Sequence, residues 1–255
     1  MTNFVKWCLS QIENEGSHDI VIVSEKAGKR LVGIDSIAAV VPGHYASSER
    51  VARLLKKLGK KNAAAYLEGK LPTSKSLRSG DLGEIIATSY VKEHTDYTHF
   101  VNRLRWKDHR NMAMRGDDIL AVRENKKKKR LEFLKGEVKS RVGLTTAVLK
   151  EARQALRAAN NRPSPHALSF VADRLEEQGE HDMADKIEKS LLKDGIALPQ
   201  VEHFLFTFSE NNPIALLKAN LAAYTGQVAQ ITVGLYVDAH QKFIKAVYKK
   251  VIGDG

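Results

Sequence analysis

The sequence predicts an α/β protein: one central mixed β-sheet flanked by helices, with an α-rich lobe at the N-terminus. Three observations carry this. The runs at residues 201–209 (VEHFLFTFS) and 231–238 (ITVGLYVD) are apolar and rich in aromatic and β-branched side chains, as interior strands are. Helical patterns alternate with such runs through the second half of the chain. A chain of 255 residues with 43% hydrophobic content can bury a sizeable core. We place an N-terminal α/β lobe at 1–74 and the core at 75–255, with one compact domain as the alternative.

The elements follow in order. Residues 19–23 and 30–34 read as a short hairpin around Lys26-Ala27-Gly28-Lys29. Residues 47–58 and 62–67 are helical, separated by Gly59, and residues 74–78 read as a linker into the core. Ser79 stands in a capping position ahead of a helix that runs to Val91, with Leu82, Ile85 and Ile86 on one apolar stripe. Residues 118–122 and 131–139 are strands joined by a charged turn around Asn125 and four lysines, Lys126, Lys127, Lys128 and Lys129. A strong helix covers 145–159. The turn from Asn160 to Pro165 then breaks the chain. Helices at 166–178 and 181–193 flank Gly179; helix 213–224 lies between the two apolar strands, and an amphipathic helix at 240–251 closes the pattern.

The chemistry lies between Arg115 and Arg141. Side chains two apart on a strand share a face, so Glu137 and Lys139 stand together while Leu134, Gly136 and Val138 face the other way. In a hairpin, Asp118 comes opposite or diagonal to Glu137, within reach of a shared ion. Two carboxylates and a backbone carbonyl suit a hard cation, Mg²⁺ or Mn²⁺. Such an ion lowers the pKa of a bound water and neutralises charge on a phosphodiester, and Lys139 can hold the water or stabilise the transition state. A Glu-x-Lys triplet alone is usually a solvated face. The acid at the head of an apolar run is the stronger sign, because it is costly to bury without a cation. Asp117 competes with Asp118 for this role, and we prefer Asp118 because the strand follows it directly. Glu84 has two readings of equal weight: an acid aimed into the protein, or a complement to the helix dipole. Lys150, Arg153 and Gln154 on the following helix can reach a phosphate, although an ordinary exposed position is the favoured reading of each.

The order of helix glutamate, strand-head aspartate, Glu-x-Lys strand and helix resembles the PD-(D/E)xK nuclease superfamily. More narrowly, GDLGEIIATSYV, RWKDHRNMAMRGDDILAV and FLKGEVKSR resemble the HamA family, the nuclease subunit of the Hachiman anti-phage system. The resemblance covers about residues 75 to 160. It implies a restriction-endonuclease-like core, with Glu84 as the helix acid, Asp118 as the motif acid and Glu137 and Lys139 as the Glu-x-Lys pair. The proline that the superfamily places before the motif acid is absent; Gly116 and Asp117 stand there instead. The family further implies a bacterial defence role and a superfamily 2 helicase partner that restrains the nuclease until DNA is damaged or unusual.

Composition agrees. Lys plus Arg is 41 against 30 acids, a net charge of +11, plausible for a protein that binds the phosphate backbone of DNA. Arg115, the four turn lysines, Arg141 and Lys150 are the candidate DNA contacts. Trp106 and His109 could stack on a base, but a half-buried anchor is the favoured reading of that tryptophan. The single cysteine, Cys8, excludes a disulfide framework and a Cys-rich zinc site and fits a reducing cytoplasm. No apolar run approaches the roughly 18 residues of a membrane span, and no secretory signal is evident. There is no GxxxxGK[ST] loop, HExxH, GxSxG or paired CxxC. The expected activity is that of a metal-dependent deoxyribonuclease in a defence complex. A non-catalytic DNA-binding or regulatory subunit and a stand-alone restriction endonuclease are the alternatives.

Overall fold

In the computed structural model, which describes residues 1–16 and 18–253, the sheet is built from both ends of the chain. Its strands are β1 (Cys8–Glu15), β2 (His18–Glu25), β3 (His99–Phe100), β4 (Ile119–Asn125), β5 (Arg130–Ser140), β6 (Val201–Ser209) and β7 (Ala229–Tyr236). Among the described residues these form one seven-stranded sheet in the order β1-β2-β7-β6-β5-β4-β3. The middle of the sheet, β2-β7-β6-β5, is parallel, and β1, β4 and β3 add to its two sides antiparallel. The expected α/β architecture, a central mixed sheet flanked by helices, is therefore present.

The helices are α1 (Phe4–Trp7), α2 (Arg30–Tyr45), α3 (Ser48–Lys70), α4 (Lys75–His94), α5 (Thr146–Arg157), α6 (Pro165–Glu177), α7 (His181–Lys189), α8 (Ile214–Ala222) and α9 (His240–Gly253), with a 3₁₀ turn at Arg103–Trp106. Strand alternation divides the core between the two faces of the sheet. Ile119, Ala121, Leu134 and Val138 face one way and pack with Ile85 and Ile86 of α4, Ile37 of α2 and Phe243 of α9. Leu120, Val122, Leu131 and Phe133 face the other way, against Leu168 and Val171 of α6 and Ile187 of α7. Leu205 and Ile22 share the second face with Leu149 of α5 and Leu217 of α8. β6 is buried almost throughout, as a parallel strand covered on both faces should be.

Two sequence expectations are corrected here. Residues 30–34 are not a strand but the first turn of α2, and the hairpin partner of β2 is β1, upstream of it. Ile34, Ile37, Ala38, Val41 and Tyr45 recur at helical spacing and are all buried, which the local β-branched composition disguises. Residues 74–78 are not a linker either. The Ser74 hydroxyl accepts from the Leu77 amide at 3.2 Å, so α4 is capped five residues before Ser79, which lies buried inside it. The break expected at Gly59 is a kink within α3, with φ of +77°.

Candidate active site

Register brings the acids together. Ile119 pairs with Gly136, so Asp118, one residue earlier, stands across from Glu137 at the open end of the β4–β5 hairpin. The pairing is tight because residue 136 is glycine. A Cβ there would lie 2.8 Å from Ile119 Cβ and 3.2 Å from Phe204 Cδ1. Gly83 does the same for α4: a Cβ would lie 3.0 Å from Ser140 Cβ and 3.2 Å from Val138 Cγ1. α4 thus packs close over β5 and delivers Glu84, the next residue, to the hairpin end.

Arg103, from the 3₁₀ turn, ties these elements together. Its Nε donates to Glu84 Oε2 at 2.9 Å, and its Nη2 donates both to Glu84 Oε1 at 2.9 Å and to Asp118 Oδ1 at 2.8 Å. Asp118 Oδ2 accepts from the Val138 amide at 2.9 Å, which locks the aspartate to the strand that carries Glu137. Lys139 Nζ lies 2.9 Å from Glu137 Oε1. One turn earlier on α4, Asp81 accepts from Lys107 at 2.8 and 2.9 Å and from the Tyr45 hydroxyl at 2.7 Å, so the segment 103–107 matches two cations to two helix acids.

The electrostatics follow from crowding in a mostly buried place. Burial pushes the Asp118 carboxyl up to about 6, the nearby Glu84 charge adds to this, and Arg103 opposes it. Burial raises Glu137 to about 7, reinforced by Asp118 and opposed by Lys139. Glu84 is raised as well, chiefly by burial and against the pull of Arg103. The three shifts share one first cause, burial, and for Asp118 and Glu137 a neighbouring carboxylate adds to it.

The four residues Glu84, Asp118, Glu137 and Lys139 therefore gather at one place. Asp117 points elsewhere: its carboxylate accepts from the Ser164 amide at 2.9 Å and lies 3.5 Å from the buried Lys135 ammonium. Lys135 also donates to the Ala158 and Arg162 carbonyls at 2.8 and 2.9 Å, holding the turn after α5 against the head of β4. Gln154 and Lys150 are exposed on α5, whereas Arg153 is buried and donates to Asn220 Oδ1 at 2.9 Å and to Gln230. Arg115 and Arg141 are exposed near the acids in sequence. The exposed lysines 126–129 occupy the opposite end of the hairpin, seven residues and roughly 23 Å of strand from Glu137.

A cleft of about 660 Å³ opens beside Asp117 and Asp118, lined by Arg103, Trp106, Arg115, His166, Phe170 and Arg174. Trp106 stands edge-on to Phe170 with centroids 5.9 Å apart, half-buried as an anchor. A larger cavity of about 800 Å³, against α2, α3 and α4, contains none of the four gathered residues. Sequence reasoning missed Arg103 as a partner of the acids. Its spacing of four from Lys107, against acids spaced three on α4, was the available signal.

The donor set is all oxygen, which fits a hard divalent cation. Among the described residues no three His, Cys, Asp or Glu side chains converge into a ready-made metal cage; in the cluster, cations are interposed between the acids. The HamA family model matches residues 2–251. The chain belongs to the HamA family. It is 26% identical over 254 residues to the Hachiman protein HamA of Bacillus cereus, an alignment covering 96% of this chain and 89% of that protein. Among the described residues no helix of this HamA-family chain is long and apolar enough to cross a membrane.

Proposed function

We propose that this HamA-family chain is a metal-dependent deoxyribonuclease of the PD-(D/E)xK type, the effector of a Hachiman anti-phage defence complex whose partner is a superfamily 2 helicase. The observation that carries the reading is the convergence of a strand-head aspartate, a Glu-x-Lys strand and a helix glutamate at one place: Arg103 bridges Glu84 and Asp118, the Val138 amide binds Asp118 to the strand, and Lys139 pairs with Glu137 on that strand. Restriction-endonuclease-like cores are built in this order. Asp118 and Glu137, with Glu84, would hold Mg²⁺ or Mn²⁺. When bound, the ion supplies a water of lowered pKa and charge neutralisation at the phosphodiester.

The chain's own residues do the rest. The Val138 amide fixes Asp118 so that its carboxylate needs no reorganisation. Lys139, held by Glu137, places a cation where negative charge develops on the phosphate oxygens. Arg115 and Arg174 line the adjacent cleft and can neutralise backbone phosphates, while Trp106 and Phe170 give it an aromatic wall.

The test is cleavage of plasmid and linear DNA in Mg²⁺, Mn²⁺ and EDTA, by the chain alone and with its helicase partner. Glu137→Ala and Lys139→Ala should each lose at least about 10²-fold in rate while still binding DNA. Cleavage that survives both substitutions would remove the reading. DNA binding without cleavage in any form, partner included, would instead leave a binding subunit.

A further inference from the structure

Every donor group of Arg103 is committed. Beyond the three bonds to Glu84 and Asp118, its Nη1 donates to the Asp117 carbonyl at 2.8 Å and approaches the Arg115 carbonyl at 3.4 Å. The side chain is only 11% exposed, too enclosed for a free phosphate contact. Above all, a single nitrogen, Nη2, bridges oxygens of two acids from different elements, at 2.9 and 2.8 Å. A bridging position between two carboxylates is the place a shared cation takes. With every group ionised, the three carboxylates of Glu84, Asp118 and Glu137 face the two cations Arg103 and Lys139 and leave one net negative charge.

We propose that Arg103 is the resident counter-cation of this cluster: a positioning residue that holds Glu84 and Asp118 side by side and lowers the affinity of the cluster for a divalent ion. The inference rests on the reading of the cluster as a metal site. Its physical basis is twofold. The planar fork serves two acids at once, which a lysine ammonium cannot do with the same geometry. A fixed positive charge within hydrogen-bond distance of two ligand oxygens also repels an entering cation, an effect strengthened by the low exposure of the site. Arg103 therefore allows three acids to be gathered without an ion, and weakens ion binding as a consequence.

The experiment is titration of Mn²⁺ alone into the full chain, followed by calorimetry and by loss of the free-ion paramagnetic resonance signal. It compares wild type with Arg103→Gln, Arg103→Lys, Glu137→Gln and the Arg103→Gln/Glu137→Gln double variant. Arg103→Gln should bind Mn²⁺ more tightly by on the order of tenfold or more, Arg103→Lys should show a smaller gain, and the double variant should lose the gain. Thermal melts of the same samples add a second readout: Mn²⁺ should raise the Tm of Arg103→Gln more than that of wild type. If Arg103→Gln fails to fold, Arg103→Lys carries the test with a gain of the same sign. Binding by the arginine variants no tighter than wild type, with Glu137→Gln still weakening the wild-type site, would overturn the role of Arg103 and leave the metal reading standing. Absence of any Glu137-sensitive Mn²⁺ binding would remove the metal reading itself, and this inference with it.

Discussion

Asp118 and Glu137 hold protons at pH values where ordinary carboxylates have lost them, at about 6 and about 7 against reference values of 3.8 and 4.5. Raised folded-state values mean that the folded chain binds more protons than the unfolded one. Their stability contribution is complete below the reference values and is lost as pH rises through 6 and 7. Glu137→Gln cannot ionise, so its Tm relative to wild type should shift upward between pH 5.5 and pH 8 in the absence of divalent ions; a flat difference would contradict the assignment. The same residues must be ionised to accept a metal, so Mn²⁺ affinity should rise over this pH range. Lys135 makes a different prediction. It is buried and serves two carbonyls and Asp117, so Lys135→Met should destabilise by roughly 3–5 kcal/mol in urea unfolding. A loss below 1 kcal/mol would mean that the Asp117 clamp is slack. The grouping of Glu137 with Lys139 was legible in the sequence because strand alternation is local, and the place of Asp118 because an apolar strand follows it. Arg103 was not, because its partners come from α4 and from the residue ahead of β4, and its spacing from Lys107 gains meaning only once the 3₁₀ turn is seen to pack against α4.

At the scale of elements, the site depends on three close approaches: β4 to β5, α4 to β5, and the 3₁₀ turn to α4. Gly136→Ala forces a methyl to 2.8 Å from Ile119 Cβ. It should cost roughly 1–3 kcal/mol and disturb the Asp118–Glu137 pairing; an unchanged unfolding midpoint would show that the hairpin is looser than the register implies. Ser74→Ala removes the cap of α4 and should cost about 1 kcal/mol, whereas Ser79→Ala tests the buried hydroxyl pair with Ser140. α5 and α6, whose burial follows one helical period, and β6, a continuous apolar run buried on both faces, were readable from sequence. β1 was not: of its eight residues only Cys8 is buried, and Leu9 and Ile12, which point to opposite faces of this edge strand, are both exposed. Without alternation there is no strand signal. α2 was misread at its start because β-branched residues open it, and its helical stripe emerges only over two further turns.

At the scale of the whole molecule, 41 basic residues against 30 acidic ones give a chain suited to polyanions, yet the charge is unevenly useful. Much of it is spent internally, as Arg103, Lys107 and Lys135 show. The four turn lysines lie far along the hairpin from the acids, where they can grip a DNA backbone at a distance from the cleaved bond. Replacing all four with serine in a Glu137→Ala background should weaken duplex binding and lower its salt slope by roughly 1 to 3, and an unchanged slope would exclude them as phosphate contacts. The central claim, that three carboxylates and a lysine form a divalent-metal site, is independent of whether a partner restrains the chain. It is tested most directly by anomalous diffraction from crystals soaked in Mn²⁺. The account expects a peak between the Asp118 and Glu137 carboxylates that disappears in Glu137→Gln; a peak elsewhere, or none at saturating Mn²⁺, would contradict it.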